Sequence, residues 1–166
     1  MSRTGSAPNH AREGFLIAPM TEHDLLEVVE IEERSGLSRW GWGAYYAELQ
    51  GPNRNLMLVA RPLRERERQN VGLIGYIVAR LGAGDVHINN VAVREAFRRR
   101  GIGSILLTQI VEEARKNGCI MAFLEVRAGN EAAQALYEKC GFRRIGRRNN
   151  YYSSPVEDAL VMSLKL

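Results

Sequence analysis

The chain has 166 residues, 45% of them apolar and 25% charged, with a formal net charge of +4. That is the length of one domain with room for a sizeable core, and no apolar run approaches the roughly 18 residues a helical membrane span needs. Its two cysteines, Cys119 and Cys140, fit no metal-ligand spacing and build no disulfide framework, so no metal and a reducing compartment, the cytoplasm, are expected.

Residues 1–13 carry Ser, Gly, Pro, Asn and Arg without the apolar stretch of a secretory signal. They read as a disordered tail ahead of a single domain over 14–166. Residues 15–18 (FLIA), ended by Pro19, form a short strand. Thr21 caps a helix with Glu22 and Asp24 in its first turn, and Gly36 stops it. An aromatic-rich helix covers 42–50, closed by Gly51 and Pro52. Strands are predicted at 56–60 and 71–80, and between them 61–70, alternating in charge and holding a proline, reads as a solvated loop.

The next strand, 85–93, has an irregular pattern: Val86 and Ile88 share one parity, Val91 and Val93 the other. One face can hold all four only if an extra residue is inserted near Asn89 and Asn90, a β-bulge. The alternative is a strand buried on both faces, where parity says nothing. A helix over 103–117 follows, with Ile102, Leu106, Ile110 and Ala114 on one stripe, a Glu112–Lys116 pair, and Gly118 at its end. Residues 120–126 (IMAFLEV) form a near-continuous apolar strand, which implies burial on both faces. Asn130 caps a helix that turns Ala132, Ala133, Leu136, Tyr137 and Cys140 inward and stops at Gly141. Two last strands, 143–147 and 159–165, flank a polar loop with Tyr151 and Tyr152. The order β-α-α-β-β-β-α-β-α-β-β predicts an α/β fold on a mixed sheet.

The strongest local signal is residues 91–107 (VAVREAFRRRGIGSILL): a strand, a basic turn, Gly-x-Gly and an amphipathic helix. Unpaired amides and a partial positive charge at a helix start attract anions, and Gly101 and Gly103 allow the main chain to approach a phosphate. Arg98, Arg99 and Arg100 add charge there, which suits a pyrophosphate. A dinucleotide fingerprint would need a third glycine where Leu106 stands, and a Walker loop would need Gly-Lys-Ser/Thr.

Two further residues suit acid–base work. Glu125 lies between Leu124 and Val126 near the carboxyl end of a predicted strand, where desolvation is expected to raise its pKa toward that of a useful base. The alternative is a salt bridge with Arg127 or another arginine. Tyr137 lies on an inward helix face, where a phenol of ordinary pKa near 10 can act as an acid or simply fill the core.

The stretch RRRGIG resembles the Arg/Gln-x-x-Gly-x-Gly/Ala motif of the GNAT acetyltransferase superfamily. Residues 124–142 (LEVRAGNEAAQALYEKCGF) and 147–162 (RRNNYYSSPVEDALVM) resemble the ribosomal-protein alanine N-acetyltransferases of RimI type, a similarity that covers about 15–166. The resemblance implies a mixed, mostly antiparallel six- to seven-stranded sheet with helices on both faces, whose parallel fourth and fifth strands splay to admit the pantetheine of acetyl-CoA. It implies cofactor contacts at Val91, Ala92, Val93, Arg98, Arg99, Arg100, Gly101, Ile102, Gly103, Ser104, Asn130 and Tyr137. Glu125 takes the place of the general base, Tyr137 that of the general acid, and Trp40, Tyr151 and Tyr152 line the acceptor groove. The implied reaction is direct transfer of acetyl from acetyl-CoA to a protein N-terminus, that of the alanine of ribosomal protein S18. The alternatives are a small amine or a lysine side chain as acceptor, or a non-catalytic module on ribosomes or RNA. Known RNA-binding signatures are missing, so direct nucleic-acid binding is not expected. The chain departs from the subfamily at Arg39, where a proline usually precedes Trp40, and in the longer segment 61–70.

Overall fold

A computed structural model describes residues 14–52 and 55–166; the tail expected at 1–13 lies outside them. Its elements are β1 (Phe15–Pro19), α1 (Leu25–Arg34), α2 (Gly41–Gln50), β2 (Asn55–Pro62), a one-turn α3 (Glu65–Arg68), β3 (Gly75–Leu81), β4 (Asp85–Val93), α4 (Ile102–Lys116), β5 (Met121–Arg127), α5 (Glu131–Lys139), β6 (Arg143–Ser153) and β7 (Val156–Lys165). The strands form one seven-stranded sheet in the order β1-β2-β3-β4-β5-β7-β6. Every neighbouring pair is antiparallel except β4 and β5. The element order predicts the α/β fold on a mixed sheet, and the resemblance implies its mostly antiparallel pairing with helices on both faces; both are present.

Alternation along the strands supplies two cores, one on each face of the sheet. On one face the apolar stripe of α4 (Ile102, Leu106, Ile110) packs with Ile77, Val86 and Leu124. On the other, Leu25, Val28 and Ile31 of α1 and Tyr45 of α2 pack on Val59, Tyr76 and Val78. Among the described residues no helix is long and apolar enough to cross a membrane.

Several local expectations are corrected. The segment at 71–74 does not join β3, because the amides of Gly72 and Leu73 donate to the Glu27 carboxylate at 3.0 Å each instead of to a strand. The expected loop 61–70 is ordered at both ends: β2 runs through Arg61, which bonds the buried Asp24 at 2.7 Å, and α3 closes one helical turn. Lys116 pairs with Glu113 at 3.4 Å, not with Glu112. Ala132 is exposed, since α5 turns Ala133, Leu136 and Tyr137 inward. β5 is not buried on both faces: Ala122, Leu124 and Val126 are buried, whereas Met121, Phe123, Glu125 and Arg127 are only partly so. The polar loop expected around Tyr151 and Tyr152 is strand, because β6 continues through two irregularities in its pairing with β7, and Asn150 there takes a left-handed φ of 50°.

A carboxylate holds the α1–α2 corner. Glu32 is fully buried and accepts from the Trp40 amide (2.8 Å), the Gly41 amide (3.1 Å) and the Tyr45 hydroxyl (2.7 Å). Tyr45 Oη also meets Tyr76 Oη at 2.8 Å and accepts from Asn90 Nδ2 at 2.9 Å. Stranding a buried donor costs about 1–3 kcal/mol. Glu32→Leu strands two backbone amides and is expected to destabilise the fold by at least about 2 kcal/mol, read as a lower midpoint in urea unfolding at unchanged slope.

Candidate active site

The cleft begins with one inserted residue. Val78 of β3 pairs with Asn90, but Ala79 pairs with Ile88, so Asn89 has no partner across the ladder. Above the insertion Val91 and Val93 return to the face already occupied by Val86 and Ile88, packing with the α4 core. Asn90 and Ala92 are buried toward the other face, Asn90 bonded to Tyr45 and Ala92 in the α1–α2 core. The bulge expected near Asn89 and Asn90 is therefore present, and it keeps four apolar residues on one side.

The parallel pair then parts. β4 and β5 are in register only from Asp85 opposite Met121 to Ile88 opposite Leu124. Beyond that, β4 stays with β3 and β5 with β7, and a cleft of about 380 Å³ opens between them. Val91, Val126, Asn130, Ala133 and Tyr137 line it, together with His87, Asn89, Glu125 and Arg127 and, at the rim, Leu37, Trp40, Tyr151 and Tyr152. The edge of β4 that faces the gap has no β5 partner after Ile88, so main-chain groups in this stretch are available to a ligand.

At the end of β4 the chain turns into α4. Arg99 and Gly101 take left-handed φ angles of 62° and 78°. The first bond across the turn runs from the Ile105 amide to the Gly101 carbonyl at 3.0 Å, leaving the amides of Ile102, Gly103 and Ser104 at the mouth of the helix. Arg98 donates to the Val93 carbonyl at 2.9 Å, and Arg100 reaches Glu67 at 3.4 Å and lies 4.9 Å over the Phe97 ring. The two glycines have different reasons from the shared one expected. Gly101 meets the positive φ; Gly103 is buried, and a Cβ there would come within 3.0 Å of Leu136 Cδ2 on α5.

Glu125 projects from β5 with its side chain 12% exposed. Its Oε2 lies 2.5 Å from His87 Nε2, and its Oε1 lies 3.5 Å from Arg148 Nε. His87 Nδ1 in turn faces Asn89 Nδ2 at 3.2 Å. The pKa expected to rise is instead held below the ordinary carboxyl range: the His87 hydrogen bond is the largest influence, burial opposes it, and Arg148 adds to it. The arginine alternative lands on Arg148, since Arg127 turns to Glu157 at 3.2 Å. His87 escapes notice in the sequence, and Asn89 figures there only as a place for the bulge. Their only signal is parity: both share a face on a strand whose neighbour places Glu125 beside them.

Tyr137 is buried on α5, its ring edge-on to Phe142 with centroids 6.0 Å apart. Burial, then Tyr152 and Cys140, push its phenol well above the ordinary value, so it is a firmly protonated hydroxyl at neutral pH. It has no hydrogen-bond partner among the described residues. Asn130 caps α5, its Oδ1 accepting from the Ala133 amide at 3.1 Å. Tyr152 lies under the Arg127 guanidinium at 4.1 Å and Tyr151 under that of Arg148 at 5.7 Å. Burial chiefly pushes the Tyr152 phenol up to about 12. Of the predicted site residues, Trp40, Val91, Glu125, Asn130, Tyr137, Tyr151 and Tyr152 come together around the cleft; Ala92 turns away from it, and 98–104 form the turn beyond its lining.

The sequence pattern of the acetyltransferase (GNAT) family matches residues 25–142. The chain belongs to that family. It is similar to the [ribosomal protein bS18]-alanine N-acetyltransferase of Escherichia coli K12, 32% identical over 152 residues, which cover 90% of this chain and 97% of the relative. The crystal structure of the Escherichia coli ribosomal-protein-S18-alanine N-acetyltransferase superposes with a TM-score of 0.76 at 29% identity, covering 91% of this chain and 93% of that one. Arabidopsis thaliana NAA60, solved in complex with acetyl-CoA, shares the fold with a TM-score of 0.82 at 21% identity over 92% of this chain and 98% of its own. Family and relatives make the chain an N-acetyltransferase.

A carboxyl held below its ordinary value adds stability above that value and loses it as pH falls through the lowered one. In Glu125→Gln that component is absent. The variant is expected to lose less stability than the parent between neutral pH and about pH 3, below the ordinary glutamate value of about 4.3, measured by urea midpoints across the range.

Proposed function

We propose that the chain transfers acetyl from acetyl-CoA to the α-amino group of a protein N-terminus beginning with alanine, that of ribosomal protein S18 foremost, in the cytoplasm. The observation that carries this reading is a carboxylate and an unbonded phenol, Glu125 and Tyr137, lining one cleft beside the open edge of β4. Acetyl-CoA supplies the activated thioester. The residues fit it: the edge of β4 that β5 leaves open, along Val91, Ala92 and Val93, offers main-chain groups to the pantetheine and the acetyl carbonyl. The amides of Gly101, Ile102, Gly103 and Ser104, with Arg98, Arg99 and Arg100, form an anion site at a helix start for the pyrophosphate. Asn130 borders the same cleft.

Glu125 takes the proton that an α-ammonium, with a pKa of about 7.7–8.0, must lose before it attacks. Transfer to a carboxylate of ordinary pKa is uphill by about 5 kcal/mol, and by more for one held lower. That still fits within the barrier of about 16 kcal/mol that corresponds to a turnover of about 10 s⁻¹. A lowered pKa therefore does not disqualify the base; it keeps the carboxylate ionised. Tyr137 donates its hydroxyl proton as the thiolate departs. Trp40, Tyr151 and Tyr152 at the rim bound the acceptor's path, and the guanidinium groups of Arg127 and Arg148 behind the tyrosines make the rim unfavourable for a polycation such as spermidine. Direct transfer is favoured over an acyl-enzyme: Cys119 is buried with its thiol pKa raised, chiefly by burial, and bonds the Asp85 carbonyl at 3.2 Å.

Release of CoA with an alanine-first peptide is expected to fall by roughly 10²-fold or more in Glu125→Gln and in Tyr137→Phe, the usual scale for general acid–base groups. Spermidine is expected to be a poor acceptor. Equal rates for both variants and the parent reject the assigned roles, and activity confined to spermidine rejects the acceptor. Mass spectrometry of ribosomal proteins with and without the gene tests S18 itself.

A further inference from the structure

We infer that His87, oriented by Asn89, is a positioning residue that fixes the Glu125 carboxylate for proton transfer; this rests on the role proposed for Glu125 above. Three side chains form a line across the parting strands: Asn89 Nδ2 to His87 Nδ1 at 3.2 Å, then His87 Nε2 to Glu125 Oε2 at 2.5 Å. The bulge builds it. Asn89 is the inserted residue of β4, and with His87 it borders the cleft opposite Glu125 of β5.

The hydrogen-bond inventory decides the direction. With the Asn89 amide donating, Nδ1 presents its lone pair, so the ring hydrogen sits on Nε2 and is donated to the carboxylate. If the amide is turned over, its oxygen accepts from Nδ1–H, and the carboxylate at Nε2 then calls for the doubly protonated ring. Either orientation leaves Nε2 donating to Glu125. Asn89 Oδ1 is the one buried side-chain oxygen or nitrogen without a partner among the described residues, so the amide has capacity for both states of the ring. The imidazole is 40% exposed, which leaves it in exchange with the cleft.

The other charged groups nearby are engaged elsewhere or more distant. Arg127 of β5 is held by Glu157 of β7, and Arg80, opposite His87 on β3, is held by Glu48 of α2. Arg148 of β6 touches the other carboxylate oxygen at 3.5 Å, and the phenol of Tyr152 on the same strand borders the cleft with Tyr137 of α5. His87 is thus the nearest donor to Glu125 and the largest influence holding its carboxyl down. Without it the carboxylate keeps one long contact to an exposed arginine and gains freedom to swing out of line.

The test is a ¹³C titration of the Glu125 side-chain carboxyl by NMR, with kcat for an alanine-first peptide, in the parent, His87→Ala, His87→Gln, Asn89→Ala and Glu125→Gln. His87→Ala is expected to raise the carboxyl midpoint and lower kcat about tenfold, less than the roughly 10²-fold loss usual when the acid–base group itself is removed. Asn89→Ala shifts both the same way by less. His87→Gln, whose amide can donate from nearly the Nε2 position but cannot take up a proton, restores much of both. CoA affinity by calorimetry is expected to stay within about twofold, which separates a local change from misfolding. A midpoint and kcat unmoved in His87→Ala overturn the inference. So does a His87→Gln variant with no recovery, because the ring would then itself be taking the proton. Full activity in Glu125→Gln defeats the base assignment instead, and that outcome is distinct from both.

Discussion

One unpaired residue in the middle of the sheet decides where the chemistry can happen. Asn89 adds a position to β4 that β3 does not match, and β4 leaves β5 one residue earlier, after Ile88. A regular parallel pair would spend the facing amides and carbonyls of both strands on each other. Here the ladder stops, and backbone polarity that would be buried and satisfied is turned toward a cleft. The fold supports this gap from both sides. The β3–β4 ladder and the β5–β7 ladder continue past it, so the strands part without unravelling.

The same insertion sets the electrostatics of the carboxylate. Burial alone would raise the pKa of Glu125, and a sequence shows burial more readily than partners. An imidazole at 2.5 Å reverses the sign. A charge-assisted hydrogen bond is among the strongest interactions a side chain can make, and desolvation of a group still touching solvent is modest beside it. Tyr137 has no such partner, so burial governs it and its proton is held. One cleft is thus lined by both an anion and a neutral acid, set by opposite balances of the same two effects.

Much of this architecture is legible in the residues because it rests on periodicity and local stops. The parity break from Val86 and Ile88 to Val91 and Val93 announces the bulge, and Asn130 and Gly141 mark the ends of α5. What is not legible depends on contacts far apart in the chain. Glu27 draws 72–73 away from β3 across 45 residues of sequence, and Arg61 is ordered by Asp24. β5 looks buried on both faces because Met121 and Phe123 are apolar, yet both are only partly buried, and Glu125 and Arg127 farther along the same face line the cleft. His87 is 38 residues from its partner, and no local pattern links them. Motif resemblance carried Glu125 and Tyr137 to one cleft, but gave no hint of which way the carboxyl would titrate.

The two sides of the cleft are built on different principles, and this bears on what substitution can change. The side assigned to the cofactor is mainly backbone: the β4 edge and the amides at the start of α4, which side-chain substitutions leave in place as long as Gly101 and Gly103 keep their geometry. The acceptor side is side chain throughout, from Trp40 to Tyr151 and Tyr152. Trp40 is nevertheless not free to drift. Its amide is held by Glu32, which is held by Tyr45, which accepts from Asn90, the residue immediately after the bulge. The corner that borders the acceptor groove is therefore tied through a buried polar chain to the same irregularity that opens the cofactor's gap. A change in the rim can alter which N-terminus enters, while a change in the buried chain moves the rim and the β4 edge together.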